Sequence, residues 1–258
     1  MDSTVNYRKM SAGGPEIFSF RTKEDLIMML AEKIQNLIRD TLISGRDFNI
    51  ALSGGSTPGI LFEYIVNSDQ RDESGIWEKV RFYWVDERCV PPDHPESNYR
   101  MANDTLLSNL PHSDKYVFRM KGEMDPQTEA ARYSQLLKGQ LPSVNNLPVF
   151  DLVLLGMGKD GHTASIFPDQ MELLSTENLC DIGVHPESGQ HRLTLTGKVI
   201  NNADHVFFLV TGADKATTVA EILGSGPQAE NFPASHIKPV YGNLLWFLDD
   251  PAASLLQT

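Results

Sequence analysis

Residues 151–168 read DLVLLGMGKDGHTASIFP, and the fold turns on how that stretch divides. Asp151 opens an apolar run, Leu152-Val153-Leu154-Leu155, that is too short for a helix of its own and rich enough in branched side chains for a buried central strand. The run empties into Gly156-Met157-Gly158-Lys159-Asp160-Gly161-His162-Thr163, where glycines permit positive φ and close backbone approach. A helix is then expected to start within Thr163-Ala164-Ser165. Asp160 and His162 are thereby held at the carboxyl end of a strand, the edge at which open α/β sheets place their ligands. A lone Asp or His in a glycine-rich turn is more often a cap or a surface residue than a catalyst. Chemistry here requires other turns of the same kind beside it.

Working outward, the chain supplies them. Phe48-Asn49-Ile50-Ala51-Leu52 runs into Ser53-Gly54-Gly55-Ser56-Thr57-Pro58-Gly59. Thr57 reads as the cap and Pro58 as the first position of a helix whose inner face is Leu61, Phe62 and Ile65. Amide hydrogens, hydroxyls and a helix amino terminus together make an anion cradle. The turn lacks the Gly-Lys-Ser/Thr ending of a Walker loop and is not GxGxxG, which disfavours a nucleotide. Val80–Val85 ends at Asp86-Glu87-Arg88, where the planar guanidinium of Arg88 suits bidentate capture of phosphate or carboxylate. Glu87 and Glu96 fit equally well as solvated charges that cap the strand. His94 and Asn98 read as loop residues, with Ser97 or Asn98 capping the helix that follows. Val206–Val210 ends at Thr211-Gly212-Ala213-Asp214-Lys215-Ala216 and delivers Lys215 to the same edge, with Arg192 available from the alternating segment Arg192–Thr196. Cations and a cradle at converging strand ends imply a phosphorylated small molecule. An imidazole, with a reference pKa of about 6.5, can take a proton from water near neutrality, so hydrolysis is the expected chemistry.

The rest of the chain alternates strand and helix. Glu16–Phe20 alternates as a short strand. Thr22 with Asp25 resembles a capped helix start, Leu26, Ile27, Leu30, Ile34, Leu37, Ile38 and Leu42 recur at helical spacing, and Gly45 closes the helix. Asp125-Pro126 starts another helix through Leu141, and residues 142–148 form a polar link. Residues 169–190 read as irregular, with His185 and His191 as surface or packing residues. Leu244–Asp249 is a last strand, followed by a short helix over Pro251–Leu256. Residues 1–14 lack periodicity and are expected to be a flexible extension, leaving 15–258 as a single α/β domain. The predicted fold class is α/β: a doubly wound, mostly parallel sheet with helices on both faces.

Composition narrows the partners. The 258 residues are 41% hydrophobic and carry a net charge of −12, which repels nucleic acid and anionic lipid, so a small anionic substrate must be caught by local basic groups. Two cysteines, Cys89 and Cys180, argue against a disulfide framework or a cysteine zinc site and fit a reducing, cytoplasmic setting. No apolar run approaches about 20 residues, so no membrane partner is expected.

At this point the residues resemble a known family. SGGSTP at 53–58, WVDERCVPPDHPESNYRMANDTLL at 84–107, DLVLLGMGKDGHTASIFP at 151–168, RLTLT at 192–196, FLVTGADKA at 208–216, and PASHIKP with LLWFLDDPAA near the end look like 6-phosphogluconolactonases, in the family's order. The resemblance implies a sugar-phosphate isomerase-like fold and hydrolysis of 6-phospho-D-glucono-1,5-lactone in the oxidative pentose phosphate pathway, with no cofactor and no metal, by a monomer or small homo-oligomer. Carried onto this sequence it makes His162 the general base and gives Asp160 the duty of orienting substrate or catalytic geometry. Arg88 is given either phosphate or the developing oxyanion, and Ser53, Gly54, Gly55, Ser56, Thr57, Asp86, Arg192 and Lys215 hold the phosphorylated substrate. The nearest rival, an amino-sugar-phosphate deaminase or isomerase, resembles Asp-Gly-His followed by a glutamate near the position of Phe167, and no acid stands there. A non-catalytic sugar-phosphate sensor would carry a DNA-binding module for which residues 1–14 are too short. A metal hydrolase would need a third ligand beside Asp160 and His162, and spacing offers none.

Overall fold

The structure, a computed structural model, describes residues 7–10, 14–68, 75–110 and 114–256. In chain order the first elements are β1 (Tyr7–Met10), β2 (Glu16–Phe20), α1 (Lys23–Ile43), β3 (Phe48–Leu52), α2 (Ser56–Asn67), β4 (Val80–Trp84) and β5 (Asp86–Arg88). Next come α3 (Asn98–Thr105), β6 (Val117–Phe118), α4 (Pro126–Gln140), β7 (Ser143–Val144), β8 (Leu147–Pro148) and β9 (Leu152–Leu155). The chain continues through β10 (Cys180–Val184), β11 (His191–Leu195), α5 (Gly197–Ile200), β12 (His205–Val210), α6 (Ala216–Leu223), β13 (Asn243–Asp249) and α7 (Asp250–Ala253).

The main sheet runs β1-β2-β13-β12-β9-β3-β4-β6. All neighbours pair in parallel except β1, which is antiparallel to β2. Successive residues of a strand point to opposite faces, and every residue of β3 and β9 is buried, so helices must cover both sides of the sheet. From β3 the chain moves one way, to β4 and β6; from β9 it moves the other way, to β12 and β13. The order therefore reverses between β3 and β9, which pair through Ile50↔Leu152 and Ala51↔Val153, and a crevice opens beyond their carboxyl ends. The turns 53–57 and 156–163 face each other there.

Local capping follows the sequence at three helices. Thr22 Oγ1 accepts from the Asp25 amide at 3.1 Å, Ser97 Oγ from Arg100 at 3.1 Å, and Asp125 Oδ1 from Thr128 at 2.9 Å. Leu26, Ile27, Leu30, Ile34 and Ile38 line the buried stripe of α1. Among the described residues no helix is long and apolar enough to cross a membrane.

Several expectations are corrected. Tyr7–Met10 is not a free extension but the edge strand β1, with the Tyr7 ring 5.6 Å from Phe18 and 5.8 Å from Phe20. An exposed edge strand need not alternate, so periodicity could not reveal it; residues 1–6 and 11–13 lie outside the described residues. No helix starts at Thr163. Ala164 takes a left-handed φ of 50°, Thr163 bridges to Ile166, and the Ser165 amide donates to Thr194 Oγ1 at 3.1 Å, which folds the segment into a tight turn. Helix α2 begins at Ser56 rather than Pro58: Gly55, at φ 105°, is the cap residue and provides no side-chain acceptor. Residues 169–190 contain β10, which joins β11 and β5 in a separate antiparallel sheet. Gly183 marks its tight spot, because a Cβ there would run into the Ser165 carbonyl. The link 142–148 is a hairpin of β7 and β8 turning through Asn145 and Asn146 at φ 53° and 64°, left-handed values that asparagine tolerates.

Candidate active site

The turn after β9 is shaped around its histidine. Gly158 cannot carry a side chain, since a Cβ would strike the His162 ring and the Asp160 carboxylate; Gly161, at φ 77°, would strike Phe232. In the space so left, His162 Nδ1 lies 2.6 Å from Asp160 Oδ1, and the His162 backbone N–H donates to the same oxygen at 3.3 Å. A carboxylate accepting from Nδ1–H leaves Nε2 as the basic nitrogen. Partial burial works to raise the Asp160 carboxyl, but the hydrogen bond and charge of His162 outweigh it and hold the group below the usual carboxylate range.

His162 opens onto a cavity of about 490 Å3, within the range that holds one small ligand. Its wall also includes Ser53 to Thr57, Asp86, Arg88, Arg192 and Lys215, so the four junctions singled out in the sequence do converge. Asp160 does not line the cavity; it stands behind the imidazole. Lys23, Asn98 and Thr211 line it too and were not foreseen. For Asn98 the available signal was its place beside Ser97 at a helix start; Lys23 follows the Thr22 cap and has no motif of its own.

At the cradle, the amino end of α2 lacks a side-chain cap, and Thr57 Oγ1 pairs with Thr211 Oγ1 at 2.9 Å, tying this turn to the one after β12. Gly54 packs against the Asn98 side chain, which a Cβ would displace. Gly54→Ala is therefore expected to weaken binding of inorganic phosphate about tenfold, within the range of an overpacking cost. Titration calorimetry at equal affinity for variant and parent would remove this turn from the anion site.

Opposite the cradle, Arg88 and Arg192 are direct cross-strand partners in the β5/β11 pair. Like charges so placed repel. Among the described residues both Nε atoms are buried without a partner, although Arg88 Nη1 donates to the Glu96 carbonyl at 2.6 Å. Burial, then the Arg88 charge, pull the Arg192 guanidinium below its usual pKa, with Asp86, Glu96 and Glu87 opposing. Paired guanidiniums with unspent donors are the electrostatic form of an anion site. Lys215 Nζ, 2.9 Å from Asp214 Oδ2, adds a third cation.

The acids of this edge brace the site. Asp86 is 5% exposed, and its oxygens accept from Ser165 Oγ at 2.7 Å and from Asn98 Nδ2 at 3.1 Å, joining the His162 segment to α3. Glu87 is no solvated charge. Its buried carboxylate accepts from Ser97 Oγ and from the amides of Arg88, Asn98 and Tyr99, all within 2.9 Å. Burial pushes its carboxyl up, and those hydrogen bonds pull part of the way back. Among the described residues no group of three or more His, Cys, Asp or Glu is placed to hold a metal ion.

Residues 21–246, a span that contains every site residue named above, match the family described as glucosamine-6-phosphate isomerases/6-phosphogluconolactonase. The chain belongs to this family. A 6-phosphogluconolactonase of Treponema pallidum is 43% identical over 180 residues, 70% of this chain and 73% of that one. One from Synechocystis is 35% identical over 245 residues, 94% of this chain and 99% of its own. The solved structure of 6-phosphogluconolactonase from Trypanosoma brucei superposes with a TM-score of 0.85 at 31% identity, over 95% of this chain and 100% of that one. The family's doubly wound fold is thus present with its sheet crevice occupied by the cavity just described.

Proposed function

We propose that this cavity hydrolyses 6-phospho-D-glucono-1,5-lactone to 6-phospho-D-gluconate, the lactone-opening step of the oxidative pentose phosphate pathway. The observation that carries the reading is the presence, in one cavity, of the Asp160-oriented His162 and of an anion site made by the 53–57 turn, Arg192 and Lys215. The relatives named as 6-phosphogluconolactonases support it.

In this mechanism His162 Nε2 takes a proton from water as the oxygen adds to the lactone carbonyl carbon. Asp160 keeps the ring in the required tautomer and stabilises the imidazolium. Collapse of the tetrahedral adduct breaks the bond from the carbonyl carbon to the ring oxygen, which recovers the proton from His162, and the released acid ionises. Ser53, Gly54, Gly55, Ser56 and Thr57 present amides and hydroxyls to the phosphate, with Arg192 and Lys215 supplying charge. Arg88, directly opposite Arg192, serves the same phosphate, and Asp86 acts through the Ser165 and Asn98 contacts that hold the walls together. Position 167 is a buried phenylalanine and supplies no extra carboxylate for amino-sugar chemistry.

All of these residues come from one chain, so a monomer suffices, with residues 15–258 as one lactonase domain carrying β1 as an added edge strand. Cys89 and Cys180 are unpaired thiols, in keeping with a cytoplasmic enzyme.

Freshly prepared lactone, assayed by oxidation of the 6-phosphogluconate formed, should be consumed far faster than its spontaneous hydrolysis, while glucosamine 6-phosphate releases no ammonia. The opposite pattern would sink the lactonase reading. Within the same assay Lys215→Ala should raise KM about tenfold, the scale of one charged hydrogen bond, and change kcat little. An unchanged KM removes Lys215 from the phosphate.

A further inference from the structure

Phe167 is fully buried, yet it is not one of the residues of the main hydrophobic core. Its ring instead has three polar neighbours. The His162 imidazole lies 4.8 Å away at 44°, the His185 imidazole 5.5 Å away edge-on at 84°, and the Arg192 guanidinium carbon 5.8 Å from the ring centroid. An aromatic side chain of this size could have been placed against leucines at no electrostatic gain; here its π face meets a cation and the candidate base.

Hydrogen bonds alone do not fix the side chains on either side of it. For His162 the structure gives one hydrogen bond from a ring nitrogen, Nδ1 to Asp160, so the remaining rotation of the ring is set by packing. Arg192 has a buried Nε with no partner among the described residues. The segment that carries Phe167 is, by contrast, tied down from both ends. Ser165 bonds through its amide to Thr194 and through its hydroxyl to Asp86, Ile166 N–H donates to the Thr163 carbonyl, and Gln170 N–H donates to the Phe167 carbonyl. Gln170 then exchanges hydrogen bonds of 2.7 Å with Val184 through both ends of its amide. A fixed ring therefore sits between the base and the guanidinium.

From this geometry we infer that Phe167 is a positioning residue shared by the two halves of the reaction: its ring fixes the rotation of the His162 imidazole and the plane of the Arg192 guanidinium at once. The inference rests on the proposed roles of His162 and Arg192 and adds a coupling between them. The ring is fully buried and does not line the cavity, so it acts through its two neighbours. Its effect is to keep the distance from base to phosphate ligand constant, so that a substrate anchored by phosphate presents its carbonyl to Nε2. Misplacement of a catalytic group by about 1 Å can cost about 100-fold.

The test compares Phe167→Leu with Phe150→Leu, which makes the same change at a fully buried residue of the main core. For each, kcat with the lactone, the dissociation constant of 6-phosphogluconate and the thermal midpoint are measured. Phe167→Leu should lower kcat by about tenfold or more and weaken 6-phosphogluconate by about threefold or more, part of one charged contact. Phe150→Leu should lower the midpoint and leave both constants near those of the parent. If the leucine variant does not fold, Phe167→Met, a flexible filler, is read by the same criteria. A folded variant whose two constants stay at the parent's values overturns the inference, as does one in which only kcat or only affinity changes. His162→Ala run alongside separates the layers: if it abolishes turnover while Phe167→Leu is silent, the base assignment stands and only the role of the ring is lost.

Discussion

His162→Ala is expected to lower kcat by about 10²–10⁴-fold, the range supplied by a positioned general base, while 6-phosphogluconate binds with little change. The two halves of that expectation come from different elements. In the proposed mechanism proton transfer belongs to the turn after β9, where Asp160 holds Nδ1 at 2.6 Å and frees Nε2. The same proposal assigns affinity to the turn after β3 and to β11, which reach the cavity independently. Removing an imidazole that is 27% exposed also leaves no buried polar partner stranded except Asp160, itself 38% exposed, so the fold should survive. Stopped-flow or steady-state rates corrected for spontaneous hydrolysis give kcat, and calorimetry gives affinity. Turnover close to the parent's would mean that another group activates water; loss of product binding in step with turnover would mean that the substitution disturbed the whole crevice.

Arg192→Met should do the reverse. Losing a charged, bidentate-capable donor set costs about 1.5–3 kcal/mol of phosphate binding, so KM should rise about 10–150-fold with kcat much less affected. The same substitution should not destabilise the ligand-free protein. Arg192 faces Arg88 across the strand pair, and its pKa is held below the usual arginine value by burial and then by that charge. A base whose pKa is lower in the folded state binds its proton less tightly there than in the unfolded chain, so its charge works against folding wherever it stays protonated, which for arginine is the whole accessible pH range. Methionine keeps much of the apolar stem and removes the repulsion. A melting midpoint equal to or above the parent's, together with the raised KM, is the expected pair of results. A lowered midpoint with unchanged KM would recast Arg192 as a structural partner of Asp86 and Glu87.

Much of this was readable in the chain because parallel strands buried on both faces announce themselves as near-continuous apolar runs. Leu152–Leu155, Phe48–Leu52 and Val206–Val210 could be placed for that reason, and the glycine-rich turns at their ends pointed to the rim where the cavity lies. What stayed hidden depends on contacts distant in sequence. The small sheet formed by β10, β11 and β5 sets Arg88 opposite Arg192, and no local pattern encodes that register. Glu87 looked like a solvated acid because its four hydrogen-bond donors include the amides of a helix start about a dozen residues on. Thr163 looked like a helix start because threonine caps helices well, but Thr194 reaches over to claim the Ser165 amide instead. Phe167 read only as the absence of an acid, whereas its buried ring lies between His162 and Arg192.

The most direct measurement is a crystal structure with 6-phosphogluconate bound. Its phosphate should lie against the 53–57 turn within hydrogen-bond reach of Arg192 and Lys215, with the carboxylate carbon at the other end beside His162 Nε2. A product bound the other way round, or with its carboxylate carbon well away from the imidazole, would contradict the assignment of His162 as the base.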